Sequence, residues 1–162
     1  MTCIVGLVDK GKVYIGGDSA AIDEQAIEVR ANRKVFRKGD YLLGFTGSFR
    51  IGQLLEHSAT LHKPEGELMQ HMVTKLVPAV KDIAGKSMHE LIVGCDGRLF
   101  KIDSSYAVAE YGDYVAAGGG EKYALGKLHG SKGAPKTRIL AALDAAQAHC
   151  AGVRAPFHIE VV

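Results

Sequence analysis

Thr2-Cys3-Ile4-Val5-Gly6-Leu7-Val8-Asp9-Lys10-Gly11-Lys12-Val13-Tyr14-Ile15-Gly16-Gly17-Asp18-Ser19 is the stretch on which the fold turns. Residues 3–8 are almost wholly apolar. Asp9-Lys10-Gly11 then reads as a hairpin turn, because glycine accepts positive φ. Residues 12–17 are the returning strand. Apolar character on both faces predicts strands covered on both sides. Working outward, residues 34–37 and 41–46 make a second strand pair joined by Lys38-Gly39-Asp40.

The pattern changes after Gly47. Ile51, Leu54, Leu55 and Ser58 fall at helical spacing and predict a helix over 48–62. Leu68, Met69, Met72, Val73, Leu76 and Val80 define a second amphipathic helix, which Pro78 should kink or end early. Strands return at 90–95 and 98–102 around the turn Asp96-Gly97, with two more at 107–110 and 114–117. Gly118-Gly119-Gly120 opens a third helix carrying Tyr123, Leu125 and Leu128. A fourth spans about 137–151, and residues 157–162 make a final strand. Runs of strands alternating with helix pairs suit two sheets face to face, each backed by helices. The expected class is therefore α+β: a four-layer αββα sandwich of two antiparallel sheets, with residues 1–162 as a single domain.

Composition sets the bounds. The 162 residues suit one core, and 47% apolar with 23% charged residues is ordinary globular material. A net charge of +2 calls for no polyanionic partner. Arg30, Arg33, Lys34, Arg37 and Lys38 cluster, but Phe36 alone stands among them, not the series of aromatic residues that a stacking platform for nucleic acid needs. They read as a solvated strand face. Cys3, Cys95 and Cys150 are odd in number and lack CxxC spacing, so neither a disulfide framework nor a zinc site is implied. Cys95 and Cys150 read as small apolar core residues. The seven histidines show no HExxH spacing, and no metal or cofactor is expected. No signal peptide and no run of roughly 18 apolar residues is seen. A cytoplasmic protein with no membrane and no nucleic-acid partner is the expectation.

The residues with chemical promise are Thr2, Asp18 and Lys34. Removal of Met1 would expose the Thr2 amine, whose ordinary pKa is roughly 7.7–8.0. That amine can act as general base toward its own residue's hydroxyl. A nearby lysine ammonium would depress the amine's pKa and keep it neutral. The lysine needs a carboxylate to orient it, and Asp18 ends the second strand, across the hairpin from Thr2.

Thr2-Cys3-Ile4-Val5-Gly6, Gly16-Gly17-Asp18-Ser19 and Arg33-Lys34-Val35 resemble proteasome β-type subunits, and look most like the peptidase subunit of the bacterial two-component ATP-dependent protease. The likeness continues at Leu43-Gly44-Phe45-Thr46-Gly47, Val115-Ala116-Ala117-Gly118-Gly119-Gly120 and Tyr123-Ala124. The resemblance implies an N-terminal nucleophile hydrolase fold and a threonine-type peptidase. Thr2 would be nucleophile, Lys34 would tune its amine, Asp18 would hold Lys34, and the Gly47 N–H would receive the oxyanion. Phe45, Asn32 and Ala21 would line the pocket for the residue before the scissile bond. It also implies a homo-oligomeric ring, a hexamer or heptamer that stacks in pairs, fed with polypeptide by a separate ATPase unfoldase. The family usually has serine where this chain has Gly119, supporting the nucleophile's amine. Two other functions stay open: a non-catalytic assembly subunit with the same fold, and an acylase acting on a small amide with the same nucleophile. Asp18–Lys34 as a purely structural ion pair stays open too.

Overall fold

The computed structural model describes residues 1–23 and 25–162. Strands β1 (Ile4–Asp9) and β2 (Lys12–Gly17) form the expected hairpin, with Ile4 opposite Gly17 and Asp9 opposite Lys12. Lys10 and Gly11 both take positive φ in its turn. β10 (Tyr114–Ala117) pairs with the outer edge of β1, and β11 (His158–Val161) with that of β2. This is one antiparallel sheet, ordered β10-β1-β2-β11. A second runs in simple sequence order through β5 (Val35–Lys38), β6 (Tyr41–Phe45), β7 (Leu91–Cys95), β8 (Arg98–Ile102) and β9 (Val108–Tyr111). The fold is thus mixed α+β with antiparallel sheets.

Three groups of buried side chains hold it together. Ile4, Val13 and Ile15 of the first sheet meet Val35, Leu42, Ile92 and Leu99 of the second. Glycines let the sheets close on one another there. A Cβ at Gly44 would lie 2.6 Å from Ile4 Cγ2, one at Gly94 2.7 Å from Val13 Cγ1, and one at Gly6 2.8 Å from Leu99 Cδ1. Tyr41, Leu43, Phe45, Leu91 and Val93, on the other face of the second sheet, pack with Leu55, Leu68, Met72, Leu76 and Val80. These come from α1 (Phe49–His57), α2 (Leu68–His71), a π-helical stretch (Met72–Leu76) and α3 (Val77–Ala84). Cys3, Val5 and Leu7 pack with Ala124 and Leu128 of α4 (Glu121–Leu128) and with Ile139, Ala142, Leu143 and Ala146 of α5 (Pro135–His149).

The differences from expectation have local causes. The first helix ends at His57 rather than at residue 62: the Ser58 and Ala59 N–H groups both donate to the Leu54 carbonyl, and the Tyr41 hydroxyl donates to the His62 carbonyl, drawing that segment away. Pro78 does not end the second helix, which continues to Ala84. A π-helical turn precedes it, closed by the Val77 N–H on the Met72 carbonyl, and Pro78 falls in the first turn of α3, where proline is tolerated. A short hairpin, β3 (Ala20–Asp23) with β4 (Ala26–Val29), was not anticipated. All four β4 residues are exposed, so no in-out alternation marks the strand in the sequence. The basic cluster is not one solvated face either. Lys34 is buried, Arg33 pairs with Glu160, and Lys38 donates to the Glu56 carbonyl in the last turn of α1, where a cation meets the negative end of the helix dipole. Topology, not composition, separates them.

Candidate active site

Asp18 follows directly on β2 and has no exposed surface. One carboxylate oxygen accepts from the Cys3 N–H at 3.0 Å and from Lys34 Nζ at 2.8 Å. The other accepts from the Ala20 N–H at 2.9 Å and the Arg154 N–H at 3.3 Å. The carboxylate therefore fixes the backbone beside Thr2 as well as the lysine. Lys34 precedes β5 and crosses toward β1 over Gly17, whose absent Cβ leaves room for the Ile4 and Val35 side chains. Its Nζ donates to Thr2 Oγ1 at 3.0 Å. Burial pulls the Lys34 ammonium below the ordinary lysine pKa, and Asp18 returns only part of that shift. Thr2, 5% exposed, donates its hydroxyl to the Met1 carbonyl at 2.8 Å.

The structure thus brings Thr2, Asp18 and Lys34 together in one buried chain of hydrogen bonds. Beside them opens a cleft of about 270 Å³ lined by Met1, Thr2, Thr46, Gly47, His89, Glu90, Gly118 and Gly119. Gly47 sits at φ +80°, and a Cβ there would lie 2.4 Å from His89 Cδ2. Gly118 sits at φ +89°, with the Thr2 carbonyl oxygen 2.3 Å from where a Cβ would be. Both positions demand glycine, for conformation and for space. The Gly120 N–H donates to the same Thr2 carbonyl at 3.2 Å. Gly119 has no such restriction: its φ is not left-handed, and only the Met1 side chain approaches it, at 3.1 Å.

The three residues expected to shape a substrate pocket lie elsewhere than on this cleft's lining. Phe45 is buried beneath α1, 5.8 Å from the Phe49 ring and 6.4 Å from that of Phe36, filling the space that Gly52 leaves. Ala21 is buried on β3 opposite Glu28. Asn32 is exposed on a separate groove with Arg33, Phe36, His57 and Glu160. His89 and Glu90 do line the cleft and were not singled out from sequence. They precede β7, and only the pairing of Phe45 with Leu91 brings them beside Gly47.

The nearby thiol is inert. Burial first, and Asp18 second, raise Cys3 to about 12, so it stays protonated. Cys95 is held up at about 11, mainly by burial. Among the described residues, no three His, Cys, Asp or Glu side chains gather as a metal ion would require. No helix among them is long and apolar enough to cross a membrane.

The fold is that of the proteasome β-type, HslV-like structures. Among solved structures, the chain is similar to Thiobacillus denitrificans BPH in complex with epoxomicin, at 20% identity over 99% of this chain and 98% of that one, TM-score 0.84. It is similar to the eukaryotic HslV of Trypanosoma brucei, at 18% identity over 99% and 98% of the two chains, TM-score 0.77. The ancestral beta-subunit Anbu of Yersinia bercovieri matches at 15% identity over 99% of this chain and 81% of its own, TM-score 0.74. No family model and no curated protein matches the sequence.

Proposed function

We propose that the chain is a single proteasome-like domain, an αββα four-layer sandwich, that acts as a threonine-type peptidase once Met1 is removed. The observation that carries this reading is Lys34 Nζ, buried and bonded at once to Asp18 and to Thr2 Oγ1 at the edge of an open cleft. An ion pair serving stability alone has no need to engage a threonine hydroxyl beside such a cleft.

The chemistry follows from these groups. The freed Thr2 amine takes the hydroxyl proton while Oγ1 attacks a peptide carbonyl carbon. Lys34 donates to Oγ1 as charge develops there, and Asp18 keeps Lys34 aimed. The carbonyl oxygen, now negative, is received by the Gly47 N–H. The protonated amine passes its proton to the leaving nitrogen, and the peptide C–N bond breaks. Water, deprotonated by the same amine, then releases the acyl group and restores Thr2.

The fold also motivates a homo-oligomeric ring that works on polypeptide delivered by an ATPase in the cytoplasm. The exposed apolar side chains Ile22, Ile27 and Val29 on the β3–β4 hairpin suit burial against another copy. A native mass of one or two chains would sink the ring. For the chemistry, the decisive experiment is N-terminal mass analysis beside a peptide-cleavage assay and incubation with epoxomicin. The proposal expects cleavage, and covalent labelling at Thr2, only in protein lacking Met1. Silence in both assays after confirmed Met1 removal would leave a non-catalytic assembly subunit, the reading that Gly119 favours by placing no hydroxyl in the turn.

A further inference from the structure

Glu90 has two roles in the geometry, one through its backbone and one through its side chain. Its backbone binds the residue before Gly47: the Thr46 N–H donates to the Glu90 carbonyl at 3.0 Å, and the Glu90 N–H donates to Thr46 Oγ1 at 3.0 Å. The Thr46 hydroxyl in turn donates to the Glu90 carbonyl at 3.2 Å. Its side chain crosses to the opposite wall, where the Gly118 N–H donates to Oε2 at 2.8 Å. Oε1 pairs with Lys101 Nζ at 2.6 Å. Lys101 is also bonded to Glu121 Oε2 at 3.2 Å and to the Ala116 carbonyl at 3.1 Å. Burial pulls Lys101 down, but Glu90 and then Glu121 more than reverse this, so the ammonium holds its proton more tightly than an ordinary lysine.

Both Glu90 oxygens are thus engaged, which leaves the carboxylate poorly placed to recognise a cationic substrate although it lines the cleft. The Gly118 N–H leads directly to Thr2. Gly118 packs against the Thr2 carbonyl with no room for a Cβ, and Gly120 donates to that carbonyl. A shift of the Gly118–Gly120 turn would therefore carry Thr2 with it. Charged acceptors hold an N–H roughly twice as strongly as neutral ones, and the pairing with Lys101 keeps the carboxylate aimed.

We propose that Glu90 is a positioning residue for the nucleophile: with Lys101, it ties the Gly118–Gly120 turn that carries Thr2 to the Thr46–Gly47 segment that faces it. This rests on the reading of Thr2 as nucleophile. Glu90 itself touches no reacting atom; it sets the gap in which Thr2 and Gly47 would meet a substrate carbonyl.

The test uses the full-length protein with Met1 removed. Turnover is measured per active site, with sites counted by covalent labelling, and amide hydrogen exchange is followed at Gly118 and Gly120. Glu90→Ala is expected to lower kcat per labelled site by about 10²-fold with KM held within about twofold, because small misplacement of reacting groups costs that much. Gly118 and Gly120 exchange should accelerate together. Glu90→Gln keeps an oxygen acceptor and loses the charge, so it should fall between parent and Ala in both readouts. A side chain that served stability alone would reduce the number of sites labelled without changing kcat per site. Unchanged kcat per site and unchanged exchange in Glu90→Ala overturn the proposal. If that variant does not fold, unchanged values in Glu90→Gln do the same. A parent protein that cleaves nothing overturns the peptidase reading instead, and the exchange measurement alone then decides whether Glu90 holds the turn.

Discussion

On one side of the Thr2 cleft the polar groups are side chains, and on the other they are backbone. Asp18 and Lys34 are nearly sealed from solvent and bonded to each other, and Lys34 is bonded to Thr2. Along the lining, Gly47 across from Thr2 and Gly118 packed against the Thr2 carbonyl owe their positions to left-handed φ values, to the His89 ring and to Glu90, which is itself 26% exposed. The first side is expensive in desolvation: a buried charge left alone is costly. The second costs little in charge but tolerates no added volume. Damage should therefore look different on the two sides, falling on stability and chemistry together on one, and on geometry on the other.

The largest expected effects lie on the side-chain side. Thr2→Ala should abolish cleavage, by at least about 10³-fold, with thermal stability nearly unchanged. Cleavage at the parent rate, in protein confirmed to lack Met1, would remove Thr2 from the mechanism. Lys34→Ala should lose nearly as much activity and also about 3–5 kcal/mol of stability, because Asp18 keeps its burial without its cation; chemical denaturation reads this. Loss of a positive charge beside the Thr2 amine favours its protonated form, so the acidic limb of the residual pH–rate profile should move to higher pH. An unmoved profile would reduce Lys34 to a structural partner.

Gly47→Ala comes next. The added methyl meets the His89 ring and the residue is held at φ +80°, so a loss of about 10²-fold or more in kcat is expected. Stability should fall by about 1–3 kcal/mol. Gly47→Ala with His89→Ala relieves the collision but not the φ, and should recover part of the stability only. Full recovery of both would show that contact with His89, and not backbone conformation, sets that wall.

The smallest effect belongs to Gly119→Ser. That residue has ordinary φ and only Met1 near it, so stability should change by less than about 0.5 kcal/mol. If a hydroxyl in this turn supports the amine, kcat should rise up to about tenfold, equivalent to about 1.4 kcal/mol of transition-state stabilisation. A folded variant with no gain would place that support elsewhere.

The same division governs what could be seen in the sequence. Thr2 and Asp18 stand at the start and end of one predicted hairpin, so strand pattern and residue chemistry set them across from each other, whereas Lys34, in a separate strand pair, was tied to them by the resemblance to proteasome β-type subunits. Lys34 was nevertheless grouped with four neighbouring cations, and only the crossing over Gly17 takes it inside. Gly47 was marked by the resemblance, and the structure adds a reason of its own: φ +80° and the His89 ring leave room for glycine alone. His89 and Glu90 carried no signal of their own: what places them is the register of β7 against β6, a long-range pairing that local pattern does not encode. The β3–β4 hairpin escaped because its outer strand buries nothing.

The glycines between the sheets have a mechanical consequence. Thr2 adjoins β1 and Gly47 follows β6, so the distance across the cleft is set by how closely two sheets stack, not by the reach of a loop. Ile4, Val13 and Leu99 fill the hollows left by Gly44, Gly94 and Gly6 as teeth fill a gear, and a close-packed interior is nearly incompressible and transmits strain. The cleft is therefore machined to the dimensional tolerance of the core, and a methyl group added at Gly44 would be felt as a change in its gauge.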